Sequence, residues 1–486
     1  MTSPSGTSSR PGSSRRHDPE ASRRRRPTRG GTPRPARKAV MPARSDLDRA
    51  LDAAAAADQP TPSSFRGFGL PESLVVTLER RGIQVPSPIQ ARTLPDALAG
   101  RDVLGRASTG SGKTLGFGVP LLTLLARGRR AAATRPVGLV LVPTRELAEQ
   151  VRGALAPPAQ TLGLTVTAVY GGVSIPRQVD ALARGTDVVV ATPGRLEDLI
   201  DRRACGLGEV RVAVLDEADH MADLGFLPAV TRLLDQVPAS AQKLLFSATL
   251  DRGVAGLVRQ YLTEPAIHAV ASAETPVDGM DHLAFEVAPD AKTDVAAEVA
   301  RRHGRTLFFV RTKHGADRLA RRLDRGGVRA AAIHGNRSQS QRQRALQDFA
   351  GGRVPVLVAT DVAARGIHVD GVDLVVHYDP PADHKDYLHR SGRTARAGAR
   401  GTVLSLLLPE ERRDAERLHA ALATGTSVVP VTPGDDPVRQ LAESGTPITV
   451  VAAPVTPSAA PTPDRSRRGA GGRRPRNGGR DPRRSR

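Results

Sequence analysis

VAVLDEADHM, residues 212–221, runs four apolar residues straight into Asp216 and Glu217 and, after Ala218, Asp219. A short apolar run of this kind reads as a buried strand. Burying carboxylates at its end without partners is expensive. Either the acids occupy a solvated turn, or a positive charge meets them there.

Similar apolar runs alternate with helix-length segments on both sides. In the first half of the chain they are DVLG, VGLVLVP, LTVTAVY, TDVVVAT, VRVAVLDE and KLLFSAT; in the second they are LAFEVA, TLFFVRT, RAAAIHG, PVLVATD, DLVVHYD and GTVLSLLL. Continuous Val/Leu runs separated by helices predict parallel sheets covered on both faces. Residues 263–281 break the pattern, so two α/β domains are expected, joined by a linker placed at 269–281. Ligands of open parallel sheets sit at the carboxyl ends of strands, where many polar residues fall here. The stretch PEERRDAERLHAAL, 409–422, reads as a closing helix, and the Pro/Thr/Ala-rich segment after it as linker.

The 486 residues carry a net charge of +21, unevenly placed. Residues 1–45 contribute +10 and residues 464–486 contribute +8. Both ends are rich in Arg, Gly, Ser and Pro and poor in large apolar side chains, the composition of disordered arms. Such arms meet an anionic polymer or serve solubility. The single cysteine, Cys205, excludes an internal disulfide and suits a reducing compartment. No apolar run is long enough to span a membrane and no signal peptide is read, so the expectation is a soluble cytoplasmic protein.

Only six of the 71 basic residues are lysines, and Lys113 alone follows a glycine. It lies in ASTGSGKT, Ala107, Ser108, Thr109, Gly110, Ser111, Gly112, Lys113 and Thr114, between a predicted strand and a predicted helix. That is the setting of a phosphate-binding loop. Glycines let backbone N–H groups turn inward, and the helix N-terminus favours phosphate. Lys113 is expected to reach the β- and γ-phosphates and the Thr114 hydroxyl to hold Mg2+. Ala107 stands where the general pattern has Gly. Asp216 then becomes the second Mg2+ ligand and Glu217 the group that orients or deprotonates water.

With these two motifs placed, residues 65–410 resemble the DEAD-box family of ATP-dependent RNA helicases in helicase superfamily 2. DEAD itself is Asp216 to Asp219. The resemblance implies two tandem RecA-like domains with parallel sheets, flanked by disordered basic arms. The expected boundaries are an Arg-rich arm at 1–62, domain 1 at 63–268, domain 2 at 282–430, and a linker and Arg/Gly-rich tail at 431–486. VPSPIQ, ending at Gln90, is similar to the family's adenine motif, with Phe65 at the upstream stacking position; Ser87 replaces the usual Thr, and Ile83 stands where an aromatic is common. An amide can pair with adenine's amino group and ring nitrogen together, so ATP preference is expected to survive.

By the same resemblance, RNA contacts are implied for Pro143, Thr144, Arg145, Gly171, Gly172, Thr192, Pro193, Gly194 and Arg195 in the first domain. In the second they are implied for Arg311, Gln339, Arg342, Thr360 and Asp361. Ser247, Ala248 and Thr249, with Asp219 and His389, are implied to couple nucleotide state to strand separation. Arg393 and Arg396 are implied to stabilise the transferring phosphoryl group from the opposite domain. One departure stands out: RGIHV places His368 where the family has an Asp that helps hold the ATP ribose. A histidine offers no fixed negative acceptor at pH 7, so altered nucleotide affinity is expected with catalysis retained.

The function implied is ATP-dependent, sequence-independent RNA binding with local duplex unwinding or RNP remodelling, with ATP and Mg2+ as cofactors. Aromatic residues make up 3% of the chain, which argues against base stacking as the main grip. The same motifs serve one alternative, an ATP-gated RNA clamp or annealing chaperone; a second, a superfamily 2 DNA translocase, is argued against by DEAD together with the Gln90 motif. The resemblance leaves open whether the RNA is a ribosomal precursor, a decaying message bound with RNA-decay machinery, or a cold-stabilised structure. No membrane partner is expected.

Overall fold

The fold is described from a computed structural model covering residues 46–57, 62–108, 110–270, 280–364, 369, 371–395 and 400–447. Thr109, Arg396, His368, most of the linker and residues 1–45 and 448–486 of the two arms lie outside the described residues.

The first lobe is a seven-stranded parallel sheet. Its strands are β1 (Val103–Arg106), β2 (Gly138–Leu141), β3 (Val166–Val169), β4 (Val188–Ala191), β5 (Val212–Leu215), β6 (Gln242–Ser247) and β7 (Ala266–Ala269). They lie in the order β3-β4-β2-β5-β6-β1-β7. The second lobe has β8 (Met280–Glu286), β9 (Arg305–Val310), β10 (Ala330–Ile333), β11 (Val356–Thr360), β12 (Val372–His377), β13 (Gly401–Leu407) and β14 (Val428–Pro430). Its order, β10-β11-β9-β12-β13-β8-β14, repeats the first lobe's topology strand for strand.

Alternation along each strand explains why the runs are continuously apolar. Leu139, Leu141, Ala213, Leu215 and Leu245 enter one core cluster, while Val140, Val188, Val190, Val212, Val214, Leu244 and Phe246 enter another. Side chains alternate faces with period two, so a sheet with helices on both sides needs apolar residues at every position. In the second lobe, Phe308 and Val358 face one cluster and Leu307, Phe309 and Leu357 the other. Gly105 on β1 is part of this packing: a Cβ there would stand 2.6 Å from the Phe246 ring.

The twelve expected runs all become strands, and the closing helix forms over Arg412–Ala421. Three boundaries differ from the sequence reading. The arm placed at 1–62 contains a helix, Asp46–Ala56. Leu51 is fully buried against the lobe, Asp52 pairs with Arg106 at 2.8 Å, and Arg92 donates to the Ala54 and Ala57 carbonyls. Alanine-rich sequence with acids in its first turn favours a helix, and docking against the sheet edge holds it. The segment expected to be linker, 269–281, is shorter at both ends, β7 running to Ala269 and β8 starting at Met280. The second lobe also continues past residue 430, through helix Asp436–Ala442, whose Val438 is fully buried in that lobe's core.

Candidate functional site

The carboxyl ends of β1, β5 and β6 are neighbours, and this brings the separate motifs of the first lobe together. After β1, Gly110, Ser111 and Gly112 lead into helix Lys113–Ala126. Gly110 and Gly112 have φ of +88° and +93°, conformations that L side chains rarely adopt. A Cβ on Gly112 would also sit 2.5 Å from Gln90 Nε2 and 2.7 Å from Ser87 Oγ. Gln90 donates to the Gly112 carbonyl at 2.8 Å and accepts from the Ser87 N–H at 2.8 Å. The expected adenine-reading amide is therefore joined to the phosphate loop itself.

Phe65 corrects an expectation. It is 1% exposed, packed among Leu74, Val75, Leu78, Leu94 and Val119. Enclosed by these side chains and by Phe68, whose ring centroid is 6.5 Å away, the ring presents no open face for a base to stack on.

The acids after β5 do meet positive charge. Asp216, Glu217 and Asp219 are all buried, 2%, 7% and 3% exposed. Burial pushes the Asp216 carboxyl above the ordinary carboxylate range, against the pull of Lys113. Burial opposes ionisation of Glu217 too, but a hydrogen bond from His220 and the charges of His220, Lys113 and Arg393 hold it below that range. Lys113 is 7% exposed and donates to the Ala107 carbonyl at 2.9 Å. The positive charges facing the acids thus come from both lobes.

Glu217 has φ +53°, ψ +52°, a left-handed conformation at the N-cap of helix Ala218–Asp223. For a non-glycine residue this costs about 1–2 kcal/mol, and it turns the carboxylate toward His220 Nδ1, 3.2 Å away. Nothing in the sequence assigns His220 a role; only the helical turn reveals it.

Asp219 joins the turn after β5 to the turn after β6. One oxygen accepts from the Thr249 N–H and hydroxyl, both at 2.9 Å, and its own N–H donates to Ser247 Oγ at 3.2 Å. Ser247 Oγ in turn donates to the Thr249 carbonyl at 2.7 Å, closing the turn around Ala248.

The candidate RNA residues of the first lobe gather at the ends of β2, β3 and β4. Arg145 lies over the Gly171–Gly172 backbone, where any Cβ on Gly172 would collide with its guanidinium. Arg195 donates to the Val173 carbonyl at 3.2 Å. Thr144 caps helix Arg145–Thr161 through the Leu147 N–H, and Thr192 takes the N-cap position before Pro193 and Gly194.

In the second lobe the expected residues divide. Arg311 is exposed beyond β9, and Thr360 ends β11 half-buried. Gln339 and Arg342, expected on RNA, are instead buried against the first lobe. Gln339 donates to Glu146 Oε1 at 3.1 Å, and Arg342 pairs with Glu146 Oε2 at 2.8 Å. Asp361 receives a two-pronged contact from Arg390, at 2.6 and 2.8 Å. Bidentate guanidinium–carboxylate pairs are strong and directional, so Asp361 holds the helix His384–Ser391 rather than presenting a free carboxylate. His389 lies on that helix, and its carbonyl accepts from Arg393 Nε at 3.2 Å.

The glycine-rich loop after β1 and the buried acids after β5 lie on one α/β lobe, and Arg393 on a second lobe of the same topology. Residues 87–257 match the DEAD/DEAH box helicase model and residues 291–398 the helicase conserved C-terminal domain. The chain is 43% identical over 361 residues to DEAD-box ATP-dependent RNA helicase 3B, chloroplastic, of Zea mays, covering 72% of this chain and 48% of the relative. It is 38% identical over 351 residues to DEAD-box ATP-dependent RNA helicase CshA of Bacillus cereus, covering 72% and 66%. Among solved structures, S. cerevisiae Dbp5 bound to RNA and ADP BeF3 superposes with a TM-score of 0.69 at 29% identity, covering 78% of this chain and 99% of that one. The chain belongs to the DEAD-box family of superfamily 2 helicases. It spans about half the length of the maize relatives it matches.

For a divalent ion, Thr114 and the buried Asp216 offer hard oxygen donors of the type Mg2+ prefers. Among the described residues no group of three or more His, Cys, Asp or Glu is arranged to hold a metal. An ion here would take its remaining ligands from phosphate oxygens and water, which fits a metal that arrives with nucleotide. Among the described residues, no helix is long and apolar enough to cross a membrane.

Proposed function

We propose that this chain is an RNA-dependent ATPase that uses ATP binding and hydrolysis to grip RNA without regard to sequence and to separate short duplexes. The observation that carries the reading is that the second-lobe helix leading to Arg393 meets the first lobe through Lys385 and Asp223 at 2.8 Å, beside the buried acids whose Glu217 the charge of Arg393 helps keep ionised. Hydrolysis then depends on the lobes meeting. Charge delivered in this way to a developing phosphoryl transition state is a recurring device of ATPases.

In this reading Lys113 and the N–H groups of residues 107–114 hold the β- and γ-phosphates, and Gln90 reads adenine. Glu217, ionised and aimed by His220, orients the attacking water and takes its proton. Mg2+, held by Thr114, Asp216 and the phosphates, would neutralise charge on the leaving group. Arg145, Arg195 and the helix N-termini after Thr144 and Thr192 face one RNA strand's phosphates, contacts that position without reading sequence. Arg396 and His368 belong to the same proposal by resemblance alone. The one-cysteine composition favours a reducing compartment, the cytoplasm being the simplest.

The test is ATP hydrolysis by the full chain with and without single-stranded RNA, matched DNA as competitor, and Glu217→Gln as the blank. The expected outcome is stimulation by RNA and not DNA, with Glu217→Gln lowering turnover at least about a hundredfold while ATP still binds. Equal stimulation by DNA would favour a DNA translocase. ATP-dependent RNA retention without duplex separation would favour the clamp.

A further inference from the structure

The interlobe contact at Glu146 lies on the RNA side. A second contact lies on the nucleotide side, built by one of the six lysines. Lys385 Nζ donates to Asp223 Oδ1 at 2.8 Å and stands 3.6 Å from Asp251 Oδ2. Its side chain is 22% exposed.

Both acids are placed by their own lobe. Asp223 ends the helix that Glu217 begins, where a carboxylate meets the negative end of the helix and gains from a cation. Asp251 follows Thr249 by two residues and caps helix Arg252–Tyr261, Oδ1 accepting from the Val254 N–H at 2.9 Å. That leaves Oδ2 for the lysine. The two segments that carry these acids are themselves joined through Asp219 and Thr249. Lys385 therefore touches the outputs of both coupling motifs at once.

On the other side, Lys385 sits in the first turn of helix His384–Ser391, and Arg393 lies just past its end. The eight-residue separation corresponds to about 12 Å of helix. Tyr387 anchors the helix in the lobe core, and Arg390 ties it to Asp361. A rigid element thus has its latch at one end and, just past the other, Arg393, whose charge helps keep Glu217 ionised. One interlobe contact alone would leave the lobes free to pivot about it; Glu146 and Lys385 together fix their orientation.

Resting on the RNA-dependent ATPase reading, we infer that Lys385 is a positioning residue: gripping Asp223 and Asp251 sets the approach of Arg393 to the nucleotide site. Its neighbours keep it charged, because burial works against the ammonium but Asp223, Asp219 and Asp251 more than offset it.

The test compares full-length wild type, Lys385→Ala, Lys385→Arg, Lys385→Glu and the swap Lys385→Glu with Asp223→Arg. Steady-state ATPase is measured against RNA concentration, alongside thermal melting and interlobe FRET with an ATP analogue and RNA. Lys385→Ala should raise the RNA concentration for half-stimulation about fivefold, with unchanged melting. Lys385→Glu should be worse, Lys385→Arg near wild type, and the swap at least partly restored. Wild-type half-stimulation in Lys385→Glu, no recovery in the swap, or an impairment that tracks a lower melting temperature would overturn the latch. If the unsubstituted chain shows no RNA stimulation, the ATPase reading fails instead. The FRET comparison still judges the latch, and an interlobe distance equal in wild type and Lys385→Glu would refute it.

Discussion

Gly112, Glu217 and Phe65 each meet a different constraint, and they were not equally readable. Gly112 needs both its positive φ and its missing Cβ, because Gln90 and Ser87 fill the space a side chain would take. The motif announced that requirement. Glu217 adopts a left-handed conformation that nothing in DEAD foretells; the β5 strand and the following helix impose it. Phe65 shows how a role carried over by position fails against burial. Truncating a buried Phe costs about 3–5 kcal/mol, so Phe65→Ala should lower first-lobe stability by that amount in denaturant unfolding. Its ATP affinity, titrated with a fluorescent analogue below the melting temperature, should stay within about twofold of wild type. A tenfold drop in affinity at unchanged stability would restore the stacking role.

At the level of strands and helices, a buried histidine group underlies the arginine-bearing helix. His282 Nδ1 lies 2.6 Å from the Tyr387 hydroxyl, and the rings of His377 and His419 stand 4.9 and 5.3 Å from Tyr387. They come from β8, β12 and the helix Arg412–Ala421, all packed on helix His384–Ser391. Burial lowers His377 well below its ordinary value, helped by the nearby charge of Arg390 and by His419 and His282, and lowers His419 to about 4. Both histidines are therefore neutral in the folded lobe and take up protons on unfolding below about pH 6.5. Stability should hold above that pH and fall as pH drops through 6.5 toward 4. His419 alone should account for about 2 kcal/mol at pH 5. Melting between pH 7.5 and 5 checks this: replacing His377 and His419 by Leu should flatten the curve, and an unchanged slope would refute the assignment. The two strands the sequence did not reveal, β7 and β14, are four and three residues long and sit at equivalent sheet edges. As edge strands they are only partly buried, AIHA and VVP, and lack the continuous apolar run that marks strands covered on both faces.

Across the whole chain, charge and chemistry are segregated. Residues 1–45 and 464–486 hold +18 of the net +21, while the acids and the phosphate loop lie between the lobes. Removing 1–45 and 448–486 should preserve RNA-stimulated hydrolysis at saturating RNA and weaken RNA affinity at low salt. For a single strand, the log–log salt dependence should flatten by about 0.7 for each phosphate that the arms neutralise in the full chain. An unchanged slope would mean that the arms serve solubility and the lobes alone grip RNA.

Local chemistry was open to reading along the chain. Twelve strands, the positive-φ glycines before helix Lys113–Ala126, the buried acids after β5 and the turn at Ser247–Thr249 each depend on residues close in sequence, where periodicity, glycine conformation and charge suffice. Contacts between distant segments were not. Gln339 reaches Glu146 across 193 positions, and a polar side chain that clasps a lobe has the same composition as one that binds phosphate. The docking of Asp46–Ala56 rests on one buried leucine and two arginines elsewhere in the chain. The latch at Lys385 needs two acids from another lobe. Which polar groups face solvent, RNA or each other is set by packing, because burial, and not residue type, decides whether a charge must find its partner inside the protein.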